Sequence, residues 1–412
     1  MKLEQVRPVA VPGPRGVPRL RVEPLWRRGA ILLVLLSGPA FLAMVFTVIP
    51  PALPGIAAHF GGGAAGQLVA QLVMTLPSIG MMAGGPLSGW LIDRYRARRL
   101  LLAALASYGL LGLAGTLLDG QWSLLAARLL QGFAACAMVT ATNTLIGERY
   151  DAATRARLLG YGTFCGAGAG LASILLSGVI AEAGSWHAPF ALYGLALGML
   201  PLAAIVLPAG GGGTSRTEAR QGGAASALLG LAPLYAVIAL VFVAVFMTNA
   251  QVSFLLLADG VSGPAAQSRI IGWSSLTNGL GGASYGWLRA RLGLRWSFVA
   301  MLGLLAAGIT TLGLSHDPLM ATLGCALTGF GGGLAVPHFL NMVLDRAEPA
   351  VRSRALGLAY SALFLGDFMN PFLMAPLTAV TGIHGAFLTV GACLAAAAVY
   401  QALRRGAHGG GQ

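Results

Sequence analysis

Gly89-Trp90-Leu91-Ile92-Asp93-Arg94-Tyr95-Arg96-Ala97-Arg98-Arg99 returns 197 positions later as Gly286-Trp287-Leu288-Arg289-Ala290-Arg291-Leu292-Gly293-Leu294-Arg295-Trp296. The same offset carries Gly84-Gly85 onto Gly281-Gly282, Gly132-Phe133 onto Gly329-Phe330, and Glu148-Arg149 onto Asp345-Arg346. It also carries Arg155, Arg157 and Gly160 onto Arg352, Arg354 and Gly357, and His187, Phe190 and Gly194 onto His384, Phe387 and Gly391. A register held over this distance without a net insertion marks a duplicated unit.

What is duplicated is apolar. Of 412 residues, 56% are hydrophobic and 9% are charged, against about 25% charged in a soluble domain. A soluble globular chain is excluded. Stretches of about 20 apolar residues, enough to cross a hydrocarbon core, begin near positions 30, 68, 98, 122, 158, 188, 229, 268, 296, 319, 356 and 385. The reading is an all-α membrane protein of twelve transmembrane helices in two pseudo-symmetric six-helix bundles. The expected parts are an N-terminal tail (1–27), a first bundle (28–208), a central linker (209–227), a second bundle (228–403) and a C-terminal tail (404–412). A duplicated six-span half is the sequence mark of a secondary transporter, whose two bundles rock about one central site.

The formal net charge is +13, but the basic residues sit in short stretches between spans and give topology. They precede span one and follow spans two, four, six, eight, ten and twelve, as in Arg94 to Arg99, Arg149 to Arg157 and Arg346 to Arg354. The positive-inside bias then places both termini in the cytoplasm of a bacterial-type inner membrane. The opposite ends carry Asp119, Glu182, Asp259 and Asp317. No nucleic-acid partner is expected; the chain meets the lipid bilayer, and it is read as a monomer. Cys136, Cys165, Cys325 and Cys393 all fall inside spans, so no exported-loop disulfide, metal motif or redox cofactor is expected. Trp26, Trp90, Trp122, Trp186, Trp287 and Trp296 lie near span ends, as interfacial anchors do. Gly162-x-x-x-Gly166-x-x-x-Gly170, Gly80-x-x-x-Gly84 and Gly282-x-x-x-Gly286 strip one helix face each and predict close helix packing.

The loop after span two resembles the signature of the major facilitator superfamily, G-x-L-x-D-R-x-G-R-[RK]. Here it reads Gly89, Leu91, Asp93, Arg94, Arg98 and Arg99, with Arg96 where the family commonly has Gly. A second family motif lies in span four as Leu124, Arg128, Gln131 and Gly132. The resemblance covers the chain outside its tails. It implies two bundles with spans one, four, seven and ten lining the cavity. The Gly-Pro pair that drug-proton antiporters of this family often carry in span five is absent, and span one has no acid.

Several residues could carry transport. Asp93, with Gly89, Arg94 and Arg98, and Glu148 with Arg149 at the end of span four, form an expected latch. Opposite charges there would hold the basic ends of the bundles together; Ala290 replaces Asp93 in the second copy and predicts a weaker latch there. Their ordinary alternative is topogenic charge at a membrane surface. Arg128 stands about 9 Å inside span four, at 1.5 Å per residue, where a charge costs at least about 2.5 kcal/mol. It is expected to relay protons or attract an anion; snorkelling to the headgroups is the alternative. Asp367, near the middle of span eleven, is a carboxyl that alternate hydration would let load and release a proton; a hydrogen bond to carbonyls freed by Pro371 and Pro376 is the alternative. Asn143, Asn249, Gln251, Asn278, His338 and Asn341 complete the polar residues of the spans, each equally suited to an interhelical hydrogen bond.

The expected function is secondary active transport of a small organic solute by alternating access, coupled to a proton gradient because no phosphate-binding G-x-x-x-x-G-K-[ST] loop is present. Apolar cavity positions lean toward efflux, and Arg128 toward organic anions. A non-translocating receptor or membrane scaffold is the alternative. No enzyme chemistry is expected, since no span pair offers a nucleophile with its base.

Overall fold

The protein is described by a computed structural model covering residues 24–207, 228–348 and 351–403. The central linker and most of both tails lie outside the described residues. Ten helices among the described residues are long and apolar enough to cross a membrane. Two of them are double length: Pro264–Gly313 bends at Gly293 (φ 72°), and Arg352–Leu403 at Gly382 (φ 71°). Divided at those residues, the chain makes twelve crossings.

Span one is Leu25–Thr47, span two Gly63–Tyr95, span three Ala97–Ala114, span four Gln121–Arg149 and span five Ala152–Ala183. Span six enters through a 3-10 turn, Ala188–Gly194, and continues as Leu195–Val206. Span seven is Ala232–Ala258, spans eight and nine are 264–292 and 294–313, span ten is Pro318–Arg346, and spans eleven and twelve are 352–381 and 383–403. Spans two and five begin five to six residues earlier than the apolar stretches predict, because helical hydrogen bonding continues past the hydrocarbon edge into polar sequence.

The helices sort into two cores, one built from spans one to six with Phe254 of span seven, and one from spans seven to twelve with Ile174 of span five. The sequence repeat is reproduced in packing. A Cβ on Gly132 would collide with the Pro77 carbonyl, and one on Gly329 with the carbonyl of Ser274, the offset partner of Pro77. Spans two and four thus approach as spans eight and ten do. Arg98 donates from Nε to the Leu207 carbonyl (2.9 Å) and from Nη2 to that of Ala204 (2.9 Å). Arg295 does the same for span twelve, to Gln401 (3.0 Å) and Ala402 (2.8 Å). Each arginine satisfies the orphan carbonyls at a helix end and places a cation at the negative pole of its dipole.

The turn between spans two and three differs from its copy in one respect. Gly293 takes a positive φ without cost, whereas the equivalent Arg96 adopts φ 70°, ψ 146°, a region nearly reserved for glycine.

The predicted glycine packing holds in span five, where Gly162 and Gly166 face Pro39 and Gly170 faces Thr47 and Ala43 of span one. It holds for Gly80 and Gly84 against span four, but Gly286 has nothing within 4 Å of a would-be Cβ.

Candidate functional site: a polar seam between the halves

The halves meet along two seams, spans two with eleven and spans five with eight. The first is polar. Ser78, midway along span two, donates its hydroxyl to Oδ2 of Asp367, midway along span eleven. Asp367 is wholly buried, and its Oδ1 has no partner among the described residues. Two turns further along span two, Gln71 Nε2 donates to Gln251 Oε1 of span seven (2.8 Å). Gln251 Nε2 donates to Asn370 Oδ1 (2.9 Å), and Asn370 Nδ2 to the Val243 carbonyl (2.8 Å). All three side chains are buried. Pro371 has no N–H to give the Asp367 carbonyl, so span eleven is weakened where its carboxyl sits.

The second seam sets glycines against small or apolar side chains. Gly178 abuts Ser268, Gly272 packs on Leu171, Ile174 and Leu175, and Gly279 meets Ala167.

All these contacts lie at mid-depth or toward the arginine-poor end. Ser253 Oγ donates to the Pro50 carbonyl (2.6 Å), and Glu182 Oε2 accepts from the Ala265 N–H (3.0 Å), an acid of one half set on a helix N-terminus of the other. At the basic end, Gly85, Gly89, Gly160, Gly286 and Gly357 of the four seam helices have no heavy atom within 4 Å of a would-be Cβ. Among the described residues, the two halves are therefore joined at the arginine-poor end and parted at the basic one.

The expected latch residues stand on the parted side. Gly89 is exposed, Arg94 lies against its neighbour Tyr95, and Arg98 is engaged in the cap of span six. Glu148 and Arg149 close span four; the side chain of Asp93 lies outside what is described. In the second half an ion pair has formed, Arg289 Nη2 to Asp345 Oδ2 at 2.8 Å, joining spans eight and ten. Sequence reading expected the weaker latch there because it compared Ala290 with Asp93 and passed over Arg289.

Arg128 is 1% exposed and points into its own bundle. Its Nε donates to the Val73 carbonyl (2.8 Å), Nη1 to Gln131 Oε1 (2.6 Å) and Tyr193 Oη (3.1 Å), and Nη2 to the Val45 carbonyl (3.0 Å). Its guanidinium also lies 5.5 Å from the Tyr193 ring centre. Four of five N–H groups are thus used on spans one, two, four and six. This arrangement neither snorkels nor offers a face to an anion.

His338 is buried in the second half, stacked on Phe298 at 5.0 Å with Tyr285 Oη 3.4 Å from Nδ1. Asn341 Nδ2 bonds back to the Pro337 carbonyl (2.7 Å). Asn249 is half-buried, while Asn143 and Asn278 are exposed. Of the polar residues singled out in sequence, the structure therefore brings Gln251 and Asp367 to the seam. An apolar groove of about 510 Å³ lined by Leu91, Leu100 and Phe133 lies within the first half, away from it.

The profile of the Major Facilitator Superfamily matches residues 35–258 and 234–408. The chain belongs to that superfamily. Among the curated relatives of this facilitator is an efflux pump, dotC, of Dothistroma septosporum, 33% identical over 132 residues, which are 32% of this chain and 22% of the pump. Another is human protein spinster homolog 1, 29% identical over 180 residues, 43% of this chain and 34% of the relative. The alignments thus span 22% and 34% of these relatives' length. Among solved structures, the inward open conformation of the xylose transporter XylE from E. coli superposes with a TM-score of 0.72 at 17% identity, covering 91% of this facilitator and 96% of XylE. The likeness is one of fold.

Three residues of the facilitator's seam escaped sequence reading: Gln71, Ser78 and Asn370. Gln71 and Asn370 carried a signal, being amides inside apolar spans. Ser78 carried none, since a span serine ordinarily bonds its own helix. A half-buried aromatic group between the halves was missed as well: Phe46 of span one lies 5.2 Å from Phe246 of span seven and 6.4 Å from Phe364 of span eleven. Phe364 is one turn from Asp367 toward the basic end.

Proposed function

We propose that this transporter exports small lipophilic solutes by alternating access, driven by a proton gradient, and that Asp367 is where the proton is loaded. The observation that carries the reading is the isolation of that carboxyl, wholly buried between halves with one hydroxyl as its partner. An ionised carboxylate left with one hydrogen bond in an apolar interior costs far more than a protonated one. Closing the seam at the arginine-poor end therefore favours the protonated carboxyl. Opening it separates Ser78 from Asp367 and lets water reach the acid. Proton occupancy and seam closure are then two faces of one equilibrium, as coupling requires.

Phe46, Phe246 and Phe364 form an apolar wall beside the acid, suited to a lipophilic solute, and the dotC likeness supports export. The engagement of Arg128 removes the ground for an organic anion. The basic end is read as cytoplasmic, in a bacterial-type inner membrane, by its arginines. The latch of Asp93, Arg94, Glu148 and Arg149 would form when that end closes.

The test is transport in reconstituted vesicles with a panel of lipophilic dyes under an imposed pH gradient. Asp367→Asn is expected to abolish gradient-driven accumulation and retain dye-for-dye exchange. Accumulation at the wild-type rate in Asp367→Asn would overturn the assignment.

A further inference from the structure

At the arginine-poor end of the second half, three chain segments far apart in sequence bring two imidazoles to one carboxylate. Asp259 follows span seven, His316 sits between spans nine and ten, and His384 begins span twelve. Asp259 Oδ1 lies 3.0 Å from His384 Nε2 and 3.8 Å from His316 Nδ1, and the donor atoms of the three residues all fall within 4.8 Å of one another. Asp259 is 8% exposed by its side chain, and its Oδ2 is buried with no partner among the described residues.

The hydrogen bonding of His384 decides what belongs between them. Its Nδ1 lies 3.2 Å from the Gly313 carbonyl, which can only accept, so Nδ1 carries the hydrogen. In the neutral ring Nε2 then presents a lone pair beside a carboxylate oxygen. Something positive must separate the two. A proton would serve that pair alone, but a third donor, His316, converges on the same oxygen. Zinc bonds of about 2.1 Å in tetrahedral geometry set neighbouring donors about 3.4 Å apart, between the two separations seen here. A backbone carbonyl fixing the second nitrogen of a ligating imidazole is the usual outer support of such a site.

We propose that Asp259, His316 and His384 bind a borderline divalent cation of the Zn²⁺ class at this face. Two imidazoles with one carboxylate select such an ion over Mg²⁺ or Ca²⁺, which take oxygen donors. His316, 79% exposed by its side chain, gives the ion its path of entry and leaves a position for water. The site ties the ends of spans seven, nine and twelve together. Ile383, next to His384, packs against both hydrophobic clusters, so the bound ion would brace the second half beside the place where the two clusters meet. The first half supplies an internal control. His187 and Asp119, the offset partners of His384 and His316, make a simple pair at 3.1 Å, and Gly62 stands where Asp259 would be.

The experiment uses the full chain in detergent, stripped with chelator and titrated with Zn²⁺ by equilibrium dialysis and with Co²⁺ by visible absorption. The wild type is expected to take up one equivalent of either ion, with the intense d–d bands of low-coordinate Co²⁺. Affinity should fall about tenfold or more in His384→Ala and in Asp259→Asn, and stay unchanged in His187→Ala. His316→Ala, at an exposed loop position, keeps the test decisive if a buried variant fails to fold. No uptake by the wild type, uptake unchanged in His316→Ala, or an equal loss in His187→Ala would each overturn the site. None of these outcomes depends on transport, so they are separate from the fate of the Asp367 assignment.

Discussion

Arg128 shows what a costly residue can be for. Its charge inside span four is balanced by the Val45 and Val73 carbonyls, Gln131 and Tyr193, and Val45 lies in the last turn of span one, at the negative pole of that helix. Arg128→Met strands these acceptors in an apolar interior and is expected to cost on the order of 3 kcal/mol or more. Arg128→Lys keeps the charge but has three donors in place of a planar five, so it should fall between. Both are read as thermal unfolding midpoints of the purified chain. A lysine variant that unfolds like wild type but loses affinity for anionic dyes would return Arg128 to the substrate. The sequence locates Arg128 by its cost and turns it toward the interior or a wet cavity, but it does not name its partners, because two of them are backbone carbonyls of spans one and two, which no side-chain pattern announces. Asp367 was legible for the same reason of cost, and its partner Ser78 was not, since one hydroxyl in a span is cheap either way.

At the scale of elements, the repeat offset carried most of what could be known in advance. It pairs Gly132 with Gly329, whose close approaches match, and arginines 98 with 295, which occupy matched places although neither the approach nor the cap was foreseen. Span boundaries were less legible, because a helix does not stop where its apolar residues do. The turn after span two is where the copies part in energy. Arg96→Gly is expected to raise stability by about 1 kcal/mol by relieving the positive φ, and Gly293→Arg to lower it by about 1–3 kcal/mol. Thermal unfolding of the two variants checks the pair; a fall in Arg96→Gly would mean that the arginine side chain outweighs the backbone strain.

For the whole molecule, the parted basic end makes a statement about access. In a chain whose four cysteines are replaced, cysteines placed at Gly89 and Gly357 should react with a polar thiol reagent, while cysteines at Ser253 and Ser268 should be protected by the closed end. Labelling is expected at least about tenfold faster at the first pair, in line with buried against open positions in one dominant state. Equal rates at the two ends would show that the closed seam does not dominate in the membrane. Sequence alone placed the latch at the basic end and gave the opposite end only its acids, because Ser253 with Pro50 and Glu182 with Ala265 meet only through folding.

The two seams of the molecule have unlike origins of resistance. Where Asp367 and Asn370 stand in span eleven, the first copy has Gly170 and Ser173 in span five. One joint is a bearing, glycine on small or apolar side chains, with no hydrogen bond between buried side chains across it among the described residues. The other is a ratchet tooth, which must shed its hydrogen bonds to move. The repeat thus gives the molecule two matched joints, one of them hydrogen-bonded through buried side chains and the other not. A chain assembled from two first halves would have two bearings and no tooth; on the proposal that Asp367 loads the proton, it would swing without being driven.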